Sequence, residues 1–522
     1  MHQTNLQTKK RNLPIAKSLL LGLISLFMLS CEKDNDNIPS DTSQELAPIA
    51  ITYDQKTASK KDFAIALAKA VEENSALRTF IKAEALKMFD KDYDVLYHMV
   101  KDQKLADGST FREAILKHYV SESRLSQLEQ NSPLLTIFVP ELPNESFSAY
   151  SWNTATEIPS VAIRMDNTND VPVFDSTGKE LVIPGYAIPA FPVIVIKENE
   201  RVILKDKNTL ANKNGTKLMQ SDTYVFDFLD TAFDGISKTN DKSSKKLANV
   251  LDTKIIDAYN IYKNADGWQR DYLYYNLTPQ NTKDQFSFDF QEHITKFSMN
   301  GDAMSAYEKI SDQSGDPVFR NTSKKNNRNP WTGGAFEFKI SVLINSKNGV
   351  GSELNTFFSV THDELFDIKY SSYKFFGIRF HVIGSISNKE VDLNLPIFNW
   401  DLNEYASSIK LSVEEVDLTV QTVITEQRSV QFATNFGIDG QKESTVGGVL
   451  KKIGLKFGAS RETNQLQTVQ KSFTEGNDEL GSVIINFADD VITSQNSGSY
   501  SLREYSTGFY KIQVAPVRVQ GL

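Results

Sequence analysis

The sequence predicts an α+β protein of several domains, with a small helical bundle first, a short-strand β domain next and an antiparallel β-sandwich last. Two observations carry this expectation: apolar residues recur at helical spacing up to about residue 131, and from about residue 335 they alternate at period two. A third is material: 40% apolar and 11% aromatic residues in 522 give ample substance for more than one core.

The chain opens on a basic stretch, Lys9, Lys10, Arg11 and Lys17, followed by a short apolar run from Ser18 to Ser30 that ends at Cys31, the only cysteine. That run is too short to span a bilayer comfortably and reads as the h-region of a secretory signal peptide. Met28-Leu29-Ser30-Cys31 resembles the bacterial lipobox, which implies that residues 1–30 are removed and that Cys31 carries acyl chains. Several chains on one residue hold far better than one, so the implied partner is a membrane, reached through a lasting anchor. With no second cysteine there is no intramolecular disulfide, and the exported fold has to rest on packing.

Residues 31–58 read as a disordered tether, beginning Glu32-Lys33-Asp34-Asn35-Asp36-Asn37. Its lysine-then-acid start resembles the export signal of Bacteroidota lipoproteins, although Asn35 interrupts the acidic pair. The resemblance implies an outer-membrane lipoprotein facing the cell exterior, with the periplasmic face as the alternative. Four cations and no carboxylates precede Cys31, so the formal charge of −9 becomes −13 on cleavage. An acidic body of this kind argues against nucleic acid and favours neutral or cationic ligands.

Residues 59–131 are expected to be the helical bundle: Ser59 and Asp62 resemble a capping box, Phe63, Leu67 and Val71 follow at four-residue spacing, and Leu77, Ile81, Phe89, Leu96, Val100, Phe111 and Ile115 continue in three further helices. Residues 132–313 read as a mixed β/α domain. Its strands are Leu134–Val139, Val161–Met165, Val171–Asp175, Leu181–Ile183, Val193–Ile196 and Arg201–Leu204, kept short by frequent prolines. A helix is expected between Ser243 and Lys263, then the densest aromatic cluster of the chain. There Trp268, Arg270, Asp271, Tyr272 and Tyr274 are candidate ligand-binding residues, since rings with flanking polar groups suit a sugar face; the same residues also suit a core.

Residues 314–334 read as a polar linker and 335–522 as the sandwich-like domain, starting with the alternation of Phe336, Phe338, Ile340, Val342 and Ile344. Within it, even-numbered apolar residues from Val416 to Phe436 face a returning segment that runs to Ser472. This amphipathic hairpin resembles the insertion strands of β-pore-forming toxins in character, although Glu426 and Arg428 fall on the apolar face; a bent strand crossing between two sheets is the simpler reading. Asp401, Glu415, Asp417, Asp478, Asp489 and Asp490 lie at predicted strand ends and are candidate calcium ligands, and no other cofactor is implied.

No zinc-binding His-Glu-x-x-His, nucleophile elbow, phosphate loop or dinucleotide fingerprint is present. Glu292-His293 and His362-Asp363-Glu364 set carboxylates beside imidazoles, but neighbours on a strand point to opposite faces. The sequence therefore leads to non-catalytic recognition of a glycan or a protein, with a hydrolase lacking a recognisable motif and a pore-former as alternatives.

Overall fold

The computed structural model describes residues 53–165, 168–206, 217–220, 224–237, 251–282, 284–311, 330–345, 352–375, 377–402, 404–416, 421–433, 462–474 and 478–519. The stretch read as a signal peptide, Cys31 and the segment read as a tether, as far as residue 52, lie outside them. The fold is mixed α+β, with antiparallel sheets dominating its C-terminal part.

Helix α1 (Gln55–Glu73) begins four residues before the expected start, because Asp54 and not Ser59 is its cap: the Asp54 carboxylate accepts the Thr57 amide at 2.8 Å. Tyr53 is already anchored, donating its hydroxyl to Glu180 at 2.9 Å, so the fold reaches back into the segment read as tether. Asn74 ends α1 and caps α2 (Ser75–Ala85). The stretch expected as a third helix splits into strand β1 (Asp94–Leu96) and a single helical turn, α3 (Tyr97–Val100). Helices α4 (Phe111–Leu116), which carries a complete Thr110/Glu113 capping box, and α5 (Glu122–Asn131) follow.

Strands β2 (Leu135–Phe138), β3 (Ser160–Ile163), β4 (Val171–Phe174), β5 (Glu180–Ile183) and β7 (Val193–Glu198) fall where the sequence places them; the two-residue β6 (Ile188–Pro189) lies between the last two. With β1 they form a sheet of order β1-β2-β7-β3-β4-β5, antiparallel except for the β3–β7 pair. Phe63, Leu67 and Val71 of α1 share one core with Val161, Ile163, Ile194 and Ile196 of this sheet. The helices are thus packed on strands, and the core runs across residue 131 without a break.

A three-stranded sheet, β8 (Val202–Asp206), β9 (Lys217–Gln220) and β10 (Tyr224–Phe228), leads away from this first core. Helices α6 (Thr253–Tyr262) and α7 (Gln269–Tyr275), strand β11 (Phe290–Met299) and helix α8 (Ala303–Ile310) all belong to a second core. So do β12 (Phe336–Ile344), β13 (Ser352–Val360), the short α9 (His362–Leu365), β14 (Phe366–Phe375), β15 (Ile378–Asn388), β16 (Glu390–Phe398) and β17 (Ser408–Glu415). Residues 330–334, read as the end of a linker, are packed in: Trp331 is buried in the first core.

The remaining strands are β18 (Gln421–Ala433), β19 (Glu462–Thr474), β20 (Asp478–Asn486), β21 (Ile492–Asn496), β22 (Ser499–Leu502), β23 (Glu504–Ser506) and β24 (Tyr510–Arg518). Two four-stranded sheets, β16-β11-β24-β23 and β13-β12-β17-β20, face a common interior, where Phe297 of β11 meets Phe338 and Phe358 at 4.9 and 5.2 Å between ring centroids. This β-rich arrangement is consistent with a β-sandwich.

Two details set the strand pairing here. Strands β14 and β15 form a hairpin, in which Phe375 pairs with Ile378 and Gly377 takes φ +79°. The hairpin is shared between the cores, because β15 pairs with β6 at Phe380–Pro189 and His381–Ile188. The segment read as a bent strand crossing between sheets is instead a separate ribbon: β18 and β19 pair in unbroken register from Gln421–Thr474 to Ala433–Glu462.

Candidate functional site

Helix α7 is the hub of the second core. Gly267, at φ +140°, turns the chain against the Tyr262 ring, where an added Cβ would fall 2.1 Å from Cε1. The Asp271 carboxylate then caps the helix by accepting the Trp268 amide at 3.0 Å, and Asn276 ends it in the left-handed conformation, φ 49°. Burial of its second oxygen, which accepts no hydrogen bond, goes with an Asp271 carboxyl pushed up to about 7 by desolvation.

Arg270 faces inward and grips Glu292 of β11 with Nε and Nη2, at 2.7 and 3.1 Å, while Nη1 donates to the Asp489 carbonyl at 2.6 Å. Tyr274 donates its hydroxyl to the same Glu292 carboxylate at 3.0 Å, and the Trp400 ring lies 5.5 Å from the guanidinium carbon. Burial and the Glu292 charge hold the Tyr274 hydroxyl well above its usual range. Gln269 ties the helix to residues 491 and 492, accepting both amides and donating to the Ile492 carbonyl. Of the five candidate ligand-binding residues, Arg270, Asp271 and Tyr274 are therefore buried members of the scaffold. Trp268 and Tyr272 are half-buried, so the proposed platform does not exist as an exposed row of five.

The exposed aromatic face lies one layer further out, on residues the sequence reading passed over. Phe288 is 62% exposed and meets Phe286 edge-on at 4.7 Å; Phe286 in turn stacks on Tyr274 at 5.9 Å with an interplanar angle of 3°. Tyr274 continues to Phe487 at 6.1 Å and Phe487 to Trp400 at 5.5 Å, so one ladder of rings runs from solvent into the core. Such a ladder fixes the outer rings in place, because each has a neighbour that cannot yield.

Polar groups gather at Phe290, two residues beyond Phe288. Lys254 donates to Asn276 Oδ1 at 2.6 Å with its ammonium 5.4 Å from the Tyr272 ring centroid and 5.6 Å from that of Phe290. Partial burial lowers the Lys254 pKa. Arg518 covers Phe290 and pairs with both oxygens of Asp252 at 2.7 and 3.1 Å. The signal that could have found the site is Phe286-x-Phe288-x-Phe290, three rings at period two just before a strand. Phe290 enters β11 and is buried, whereas the two rings ahead of it precede the sheet.

Among the described residues the acidic candidates are not gathered into one metal-holding group. Asp401 accepts the Tyr275 hydroxyl at 2.9 Å, Asp489 accepts the Tyr505 hydroxyl at 2.9 Å, Asp490 is exposed, and Glu415 stands opposite Asp478 in the β17–β20 register. Asp417 lies outside the described residues. Among the described residues no group of three or more His, Cys, Asp or Glu side chains is placed to hold a metal ion.

The imidazoles are likewise occupied structurally. Glu292 points to Arg270 while His293 meets Asn394 at 2.8 Å, as opposite faces of a strand require. Ser372 and His381 stand 2.8 Å apart across β14 and β15, and among the described residues His381 Nε2 has no hydrogen-bond partner. No protein-family model, curated protein or solved structure matches the chain.

Proposed function

We propose that this is a lipid-anchored cell-envelope protein, facing the cell exterior, that recognises a glycan without turning it over. The anchor rests on the basic, apolar and Cys31 succession of the N-terminus. The observation that carries recognition is the solvent-facing Phe286–Phe288 edge, stacked on a buried ring ladder and followed at Phe290 by a polar rim, Lys254 and Arg518 over that ring. A pyranose presents C–H groups to a ring face and hydroxyls to such a rim, and the acidic body favours a neutral chain over an anionic one. Recognition through a β-sandwich that serves as scaffold needs no catalytic group.

Calorimetry of a soluble chain starting at residue 49 against neutral polysaccharides, paired with a product assay, tests this. Saturable binding without product is expected, weakened about five- to tenfold in Phe288→Ala, the loss of roughly 1 kcal/mol of ring contact. Product formation, or wild-type affinity in the variant, would count against the reading.

The β18–β19 ribbon favours a second reading, membrane insertion. Its 13-residue strands extend about 44 Å at ~3.4 Å per residue, whereas a membrane-spanning strand needs about 9 to 11 residues. Dye leakage from lipid vesicles that stops when Ser429→Cys and Leu466→Cys are oxidised across their register pair would support it. Intact vesicles in the presence of the reduced variant would dismiss it.

A further inference from the structure

The two cores meet on charge. Past α2 the chain turns Asp90, Asp92 and Asp94 into the interior, and the β7–β8 connection brings Lys197, Asn199 and Arg201 against them, all buried. From the second core β12 contributes Glu337, 3% exposed. Arg201 Nε donates to Glu337 Oε1 at 2.5 Å and Nη1 to the Asp90 carbonyl at 2.9 Å. Lys197 lies 3.2 Å from Asp94 and donates to the Gly333 carbonyl at 2.8 Å. Asn199 Nδ2 bridges Asp90 and Asp94 at 2.7 and 3.3 Å. At the rim Arg164 pairs with Glu200, which sits 3.7 Å from Lys197, and Glu141 lies within the field of Asp92. Phe138 and Phe233 cover the two buried cations at 4.8 and 5.5 Å.

The signs do not balance. Asp90, Asp92, Asp94, Glu200 and Glu337 are five carboxylates against the three cations Arg164, Lys197 and Arg201, and Glu141 adds to the excess. Among the described residues two of the buried oxygens, Asp92 Oδ2 and Asp94 Oδ1, accept no hydrogen bond, the nearest cation to the first being Arg201 Nη2 at 3.6 Å. An ionised carboxylate left so is costly, and the ordinary remedy is to hold a proton.

We propose that the junction closes around at least one proton carried by Asp90, Asp94 and Glu337, which makes the contact between the two cores a pH-sensitive lock, firm toward acid and loosened by base. Burial pushes Glu337 up to about 7 and raises Asp90, while Asp94 stands well above its usual value. A carboxyl whose folded pKa exceeds its unfolded one contributes stability below the unfolded value, near 4, that is lost as pH rises through the folded value. The window of the lock therefore runs from about pH 4 to about pH 7.

Hydrogen exchange of the whole soluble chain, corrected for intrinsic chemistry, tests it. Protection of residues 197–206 and 332–340 should fall about tenfold per pH unit between roughly pH 4 and pH 7, the slope of one proton released on opening, and level off above that, while that of β24 holds. Asp94→Asn, which resembles the protonated group, should flatten the slope. Glu337→Gln is the second variant, should the first fail to fold. A flat wild-type profile, or amide variants that keep the wild-type slope, would overturn the proposal; so would added calcium restoring protection at high pH, since a cation would then be the balancing charge.

Discussion

Replacing Arg270 by methionine isolates the largest electrostatic debt in the second core. Glu292 is 0% exposed and has three donors: Arg270 Nε, Arg270 Nη2 and the Tyr274 hydroxyl. Arg270→Met leaves only the hydroxyl, and the Asp489 carbonyl loses the Nη1 bond as well. Breaking one side of a buried ion pair costs about 3–5 kcal/mol, because the remaining charge stays desolvated. Methionine keeps much of the side-chain volume beside Trp400, so the loss is electrostatic more than a cavity effect. Urea unfolding of the soluble chain, followed by tryptophan fluorescence, reads the difference; Trp268 and Trp400 both lie near the substituted position. The decisive comparison is Arg270→Met with Glu292→Met, which removes both charges and leaves Tyr274 short of one acceptor, a cost of about 1 kcal/mol. The double variant should recover most of the stability. A single variant that loses under about 1 kcal/mol, or a double variant less stable than the single, would refute the assignment of Arg270 as the compensating charge.

Three further outcomes are expected. Cys31→Ser should move the protein from the membrane fraction to the soluble one and abolish incorporation of labelled fatty acid; unchanged fractionation would dismiss the lipid anchor. Gly334→Ala should destabilise the junction by about 1–3 kcal/mol in urea unfolding, since Gly334 holds φ +96° and an added Cβ would meet Asp92 Oδ2 at 2.1 Å; a neutral substitution would mean that the close approach is not maintained in solution. Tyr274→Phe removes a hydroxyl from Glu292 and keeps the ring under Phe286, so stability should drop by about 1 kcal/mol while glycan affinity stays at the wild-type value, and an affinity loss would place the binding surface deeper than Phe286.

The short strands were legible because prolines and turn residues punctuate them: β2 to β5, β7 and β8 fall within a few residues of their expected positions. Strand β11 was not. It pairs with both β16 and β24, yet Gln291, Glu292, His293, Thr295 and Lys296 break any apolar alternation. Glu292 can lie inside only because Arg270 lies there too, and the two are 22 residues apart in sequence. The same blindness hid the junction. Glu337 and Lys339 looked like the wet face of β12, but every residue of that strand from Phe336 to Ile344 is buried. One face meets the second core; on the other, Glu337 meets Arg201, and Lys339 lies 3.9 Å from Glu414. Period two finds a strand and misassigns its outer face whenever charge is paired inside.

Buried pairs of this kind also explain why the candidate platform moved outward. Arginine beside aromatics reads equally well as a ligand site or as a compensated interior, and the deciding information is the partner carboxylate, which sits on another element. Once Arg270 and Tyr274 are committed to Glu292, the rings left to meet solvent are those that continue the stack beyond them, Phe286 and Phe288. Phe286 is packed on the core by Tyr274, whereas Phe288 stands 62% exposed at the end of the stack and fills no core, and that is the physical ground for treating the edge as a contact surface and the α7 residues behind it as its foundation.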